Sequence, residues 1–140
     1  MNTEQMILIA EDDEADIVLL QIVLKKCGID DQLIVTRDGD ETLDYLYRRK
    51  KYRDVPAALP ALVLLDLKMP KVGGLEVLTQ IRSDASLKAI PVVIFTSSMS
   101  EKDKAAAQAA GANEFVVKPI IFEDYTAAVE RIMRSYLGQC

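Results

Sequence analysis

"LVLLDLKMPKVGG", Leu62–Gly74, is the stretch whose reading decides the fold. Four aliphatic residues run straight into Asp66, and Pro70, Gly73 and Gly74 then break the chain. A short run that apolar reads as a strand buried on both faces, as in a parallel sheet covered by helices. Its last residue is a carboxylate, and an unpaired buried charge is expensive. Other parts of the chain must therefore supply partners for Asp66.

The same grammar recurs along the sequence. Strand candidates are 6–10, 32–36, 61–66, 91–96 and 113–118; helix candidates are 14–27, 39–50, 73–83, 101–110 and 120–137. Five βα units in strict alternation predict an α/β fold, a doubly wound parallel sheet with helices on both faces. Gly28, Gly39, Gly111 and the prolines at 56, 60 and 91 fall between elements, where turn residues belong. The expectation is a single domain over 1–140, with no repeat and no output domain. The basic connection "YRRKKYRDVPAALP" (47–60) reads as a solvated helix end and loop.

Bulk properties narrow the function. With 17 basic and 22 acidic residues the net charge is −5, which disfavours nucleic acid as a partner. The N-terminal apolar run is cut by acids, so neither a signal peptide nor a membrane span is expected. There is no histidine, which excludes imidazole chemistry and leaves oxygen ligands for any metal. Cys27 and Cys140 have no framework spacing and read as reduced thiols of a cytoplasmic chain.

Ligands of an open parallel sheet bind beyond the carboxyl ends of its strands. There this sequence places Glu11, Asp12 and Asp13 after the first strand, Asp66 after the third, Thr96 after the fourth and Lys118 after the fifth. Clustered carboxylates repel unless a cation lies among them, and an oxygen-only cluster suits Mg²⁺. Asp12 and Asp13 read equally well as caps of the first helix, with Glu14 and Asp16 favouring its dipole. No cap requirement explains Asp66.

Four pieces, "EDD" (11–13), "DLKMPKVGGLE" (66–76), "FTSS" (95–98) and "FVVKP" (115–119), stand in this order on the strand ends. In these the chain resembles, from end to end, the receiver domain of two-component response regulators, the CheY-like family. The resemblance implies five strands in the order 2-1-3-4-5 and phosphorylation of Asp66 by a phosphohistidine of a sensor kinase. It implies Mg²⁺ held by Asp13, Asp66 and the backbone carbonyl of Lys68, with Asp12 acting through a water and Glu11 peripheral. Lys118 and Thr96 would contact the phosphoryl oxygens, Phe115 would follow Thr96 as a switch, and Lys118–Pro119 would be a cis peptide. Lys68 and Ser98 would flank the attacking water, or else be exposed loop residues. Such a protein is a phosphoacceptor rather than an enzyme, signalling by protein contact. A pseudo-receiver that binds without being phosphorylated is the alternative. A flavodoxin-like protein would need a phosphate loop where "AEDDEAD" stands, and an aspartyl phosphatase would need an acid where Lys68 stands.

The last helix adds an expectation of association. Its apolar positions span about half the circumference, wider than the roughly 100° stripe of one contact. Tyr125, Val129, Ile132, Met133 and Tyr136 are therefore candidates for a dimer interface. The single-domain layout also resembles the stand-alone regulators serving phytochrome-type histidine kinases, which pair through the fourth helix, fifth strand and fifth helix.

Overall fold

The computed structural model describes residues 5–55 and 59–140. Strands β1 (Ile7–Ala10), β2 (Leu33–Thr36), β3 (Leu62–Leu65), β4 (Val92–Thr96) and β5 (Glu114–Val117) form one sheet in the order β2-β1-β3-β4-β5. All four pairings are parallel. Helices α1 (Glu14–Lys26), α2 (Gly39–Leu46), α3 (Gly74–Ser83), α4 (Glu101–Ala109) and α5 (Phe122–Leu137) connect and cover them.

Alternation along the central strands sorts the core into two halves. Ile7, Ile9, Leu62, Leu64, Val93 and Phe95 pack with α1 and α5 on one face. Leu8, Ala10, Val63, Leu65, Val92 and Ile94 pack with α2, α3 and α4 on the other. β1, β3 and β4 are buried throughout, which is why they read as unbroken apolar runs, whereas the edge strands β2 and β5 are only partly covered.

Strands and helices fall within one or two residues of the expected bounds, α2 excepted. It ends at Leu46 rather than 50, because Arg48 and Lys50 take positive φ values of 56° and 54°, which a helix cannot contain. The basic connector that follows is not merely solvated. Arg49 pairs with Asp44 at 3.2 Å, Lys51 with Glu41 at 3.0 Å, and the Tyr52 hydroxyl donates to Glu41 at 2.6 Å. The part of the connector at 56–58 lies outside the described residues.

Three further expectations are corrected by the structure. Tyr125, Val129, Ile132 and Met133 are buried, all within the α1–α5 half of the core, and Tyr136 is partly buried against it. α5 lies against both the sheet and α1, so its wide stripe serves two internal contacts, and Tyr125, Val129, Ile132 and Met133 have no surface left for an interface. The cysteines are joined as a disulfide, Cys27–Cys140, across 113 residues of sequence. α1 and α5 both run back from the carboxyl rim of the sheet, so Cys27 at the end of one and the chain beyond the other arrive together. The Lys118–Pro119 bond is trans, since no described peptide bond is cis.

Candidate functional site

Register assembles the rim. Ala10 pairs with Leu65, so the next residues, Glu11 and Asp66, emerge side by side; Asp66 N–H donates to Ala10 O at 3.0 Å and Glu11 N–H to Thr36 O at 2.9 Å. Across β4, Lys118 N–H donates to Thr96 O at 2.7 Å, carrying the ladder one step past β5. The loop after Asp66 is shaped by a close approach. A Cβ on Gly74 would lie 2.1 Å from Asp66 O, so only glycine lets α3 begin there.

Lys118 is the hub. Its Nζ donates to Glu11 Oε1 at 2.7 Å, Asp16 Oδ2 at 2.9 Å and Asp66 Oδ2 at 3.0 Å, with only 8% of its side chain exposed. The other Asp66 oxygen accepts Lys68 N–H at 3.2 Å. Asp16 also accepts the Tyr125 hydroxyl at 2.9 Å, which ties α1, α5 and the lysine together. Thr96 is fully buried at the end of β4, and Ser98 N–H reaches its Oγ1 at 3.3 Å.

The electrostatics follow from this crowding. Burial pushes the Glu11 carboxyl up to about 7, against the Lys118 hydrogen bond and with help from the Asp66 charge. For Lys118, burial works against the ammonium, but hydrogen bonds to Glu11 and Asp16 and the Asp66 charge outweigh it and hold its pKa above the ordinary lysine range. Burial drives the Tyr125 hydroxyl upward as well, reinforced by Asp16. Two like charges about 4 Å apart repel by about 4 kcal/mol at an effective dielectric near 20. One lysine does not offset the acids around it.

Two of those acids, with Asp12 beside them, can share a cation. Carboxylate oxygens of Glu11, Asp12 and Asp66 all lie within 4.8 Å of one another. Asp13 is not in that group. Its Oδ1 accepts Asp16 N–H at 3.1 Å as the N-cap of α1. Asp13 thus caps the helix, as one reading of the acidic run expects, next to the Glu11, Asp12 and Asp66 carboxylates at the rim. Oxygen-only donors with two buried members fit a hard divalent ion such as Mg²⁺ or Mn²⁺.

The remaining candidates fall into place around this rim. Lys68 is exposed, whereas Ser98 is buried and donates to Asp103 Oδ2 at 2.6 Å at the start of α4. Phe115 is partly buried, pairs in register with Ile94 and packs on the α2–α3–α4 side. Sequence reasoning did not single out Asp16 or Tyr125 for this site. The signal for Asp16 was its position three residues after the cap, which turns it toward the rim.

A doubly wound sheet with three carboxylates, a buried hydroxyl and a lysine at its carboxyl rim defines a receiver-type α/β protein. The chain belongs to the response regulator receiver domain family, whose pattern matches residues 7–130. It is 39% identical over 133 residues to the probable methanogenesis regulatory protein FilR2 of Methanothrix harundinacea, covering 95% of this chain and 84% of that one. It is 38% identical over 136 residues to the response regulator Rcp1 of Synechocystis, covering 97% and 91%. The Mn²⁺-bound structure of Rcp1 matches with a TM-score of 0.88 over 95% of this chain and 94% of that one. The phosphorylated cyanobacterial phytochrome response regulator RcpA matches at 0.89 and 34% identity, over the same shares.

Proposed function

We propose that this receiver accepts a phosphoryl group on Asp66 from a phosphohistidine of a sensor histidine kinase, with Mg²⁺ as cofactor. The observation that carries the reading is Lys118 Nζ held 3.0 Å from Asp66 Oδ2 beside the Glu11–Asp12–Asp66 carboxylates. In the transfer an Asp66 oxygen attacks phosphorus; the new O–P bond forms as the N–P bond breaks, and the electron pair leaves on the imidazole nitrogen. Lys118 exchanges part of its carboxylate set for the incoming phosphoryl oxygens, and the Thr96 hydroxyl donates to another of them, as positioning and charge neutralisation require. Asp13 and Asp66 would ligate Mg²⁺ directly, joined by the Lys68 backbone carbonyl, with Asp12 acting through a water and Glu11 peripheral. The ion would supply charge neutralisation for the phosphoryl oxygens.

The chain is then a phosphoacceptor rather than an enzyme acting on a separate substrate. Likeness to Rcp1 and to the phytochrome response regulator RcpA supports a phytochrome-type kinase as donor and a cytoplasmic setting. No described helix is long and apolar enough to cross a membrane. A homodimer through α4, β5 and α5 would have to use residues such as the exposed Val117 rather than the buried stripe of α5.

The test is labelling by acetyl phosphate. Wild type should take label only with Mg²⁺ present, and Asp66→Asn should fold and take none. Undiminished labelling of Asp66→Asn would overturn the acceptor assignment, and a folded wild type inert to all donors would favour the pseudo-receiver.

A further inference from the structure

The rim does not use the Cys27–Cys140 pair, which lies where α1 and α5 end. Cys27 is the C-cap of α1, partly buried against the α1–α5 core. Cys140 is exposed and follows Gly138, whose left-handed φ of 67° turns the chain after α5. The Cα atoms stand 4.7 Å apart. We infer that Cys27 and Cys140 form a reversible thiol–disulfide site, exchanging with small-molecule disulfides, that fastens the far end of α5 to α1.

Three observations carry this. First, the bond is not what assembles the two helices. Leu20, Val23 and Leu24 of α1 pack in one buried cluster with Val129, Ile132 and Met133 of α5, and Tyr125–Asp16 holds the ends nearest the rim. Both redox states therefore have a folded form, and the bond governs only the last turn of α5 and the residues after it. Second, access is unequal: Cys140 is open to solvent while Cys27 is half-covered. That asymmetry separates an attacking from a resolving thiol. The Cys140 thiolate attacks a sulfur of the small disulfide and expels one thiolate. Cys27 then attacks the Cys140 sulfur of the mixed disulfide and expels the second. Two protein thiols and one small disulfide become one protein disulfide and two small thiols, which carry off the two protons. Third, a carboxylate attends the pair. Glu130 lies within 4.8 Å of both sulfurs and is itself bridged by Lys26 at 3.5 Å. Its charge disfavours a neighbouring thiolate and so restrains exchange. In a reducing compartment the pair rests as thiols and in an oxidising one as the disulfide.

The experiment incubates the full chain across graded ratios of reduced to oxidised glutathione, quenches with acid, alkylates free thiols and maps the peptides. Both thiols should disappear together, giving a monomeric chain with a Cys27–Cys140 peptide that dithiothreitol reverses. Cys27→Ser should stop at a glutathione adduct on Cys140, and Glu130→Gln should exchange faster. Independent glutathione adducts on both cysteines of wild type, covalent dimers, or free thiols at every ratio would each overturn the site. Amide hydrogen exchange over 134–140 tests the fastening. The disulfide form should exchange slower by roughly tenfold or more, the scale of a suppressed fraying equilibrium, and equal rates would overturn that part.

Discussion

α4 and α5 flank the same strand, β5, yet they are held in opposite ways. α5 buries Tyr125, Val129, Ile132, Met133 and Leu137, and its outer side is pinned to β5 by Arg131 and Tyr136, which both donate to Glu114 at 2.8 Å. α4, with the sequence EKDKAAAQA, buries only Ala107. Its start is tied by short polar links, Ser98 Oγ to Asp103 and Asp103 N–H to Ser100 Oγ at 3.2 Å. Ser98 in turn reaches Thr96, so the weakly packed helix is the one connected to the rim hydroxyl. Burial sets local stability, and elements that move are drawn from its low end. The comparison assigns α5 to the frame and the β4–α4 segment to the part that the proposed phosphoryl group would rearrange.

The largest effect that would break this contrast is on α5. Met133→Glu buries an unpaired charge and should cost on the order of 3–5 kcal/mol, read as a lowered urea midpoint. A folded variant of unchanged stability with altered sedimentation would instead return Met133 to an interface. On α4, Ala107→Gly should cost only about 1 kcal/mol, because one small side chain and helix propensity are all that is lost. A cost as large as that on α5 would mean α4 is packed more firmly than its contacts allow.

A smaller effect sharpens the same picture through pH. The Arg131 hydrogen bond, aided by Tyr136, holds the Glu114 carboxyl below its ordinary 4.5. A depressed carboxyl contributes stability above its unfolded pKa and loses it as pH falls through the folded value. Wild type should therefore be modestly more stable than Glu114→Gln at neutral pH, and the difference should shrink away as pH falls through the lowered folded value. A gap that persists into acid would show that the ionised Glu114 is not what pins α5.

How much of this was legible in the sequence depends on where each residue's partners lie. The strands were legible because β1, β3 and β4 are buried on both faces and need continuous apolar runs. Asp66 and Lys118 were legible as polar residues at strand ends. The end of β1 at Ala10 was legible, and so was the acidic run beyond it, but only register with Leu65 sets Glu11 beside Asp66. The stripe of α5 was visible, but a wheel counts apolar residues without saying how many neighbours surround the helix. The end of α2 depends on left-handed Arg48 and Lys50, residue types that carry no such signal. The disulfide depends on two helix ends meeting, which no cysteine spacing encodes.

The central claim is that charge placed on Asp66 draws on Lys118 and Thr96 and is felt on the α4 side of β5, not in α5. Amide hydrogen exchange with and without beryllofluoride and Mg²⁺ measures this directly. Wild type should change protection in β4–α4 and around Phe115, with the core of α5 unmoved, and Asp66→Asn should show no change anywhere. An identical response in Asp66→Asn, or a wild-type response centred on α5, would contradict the account.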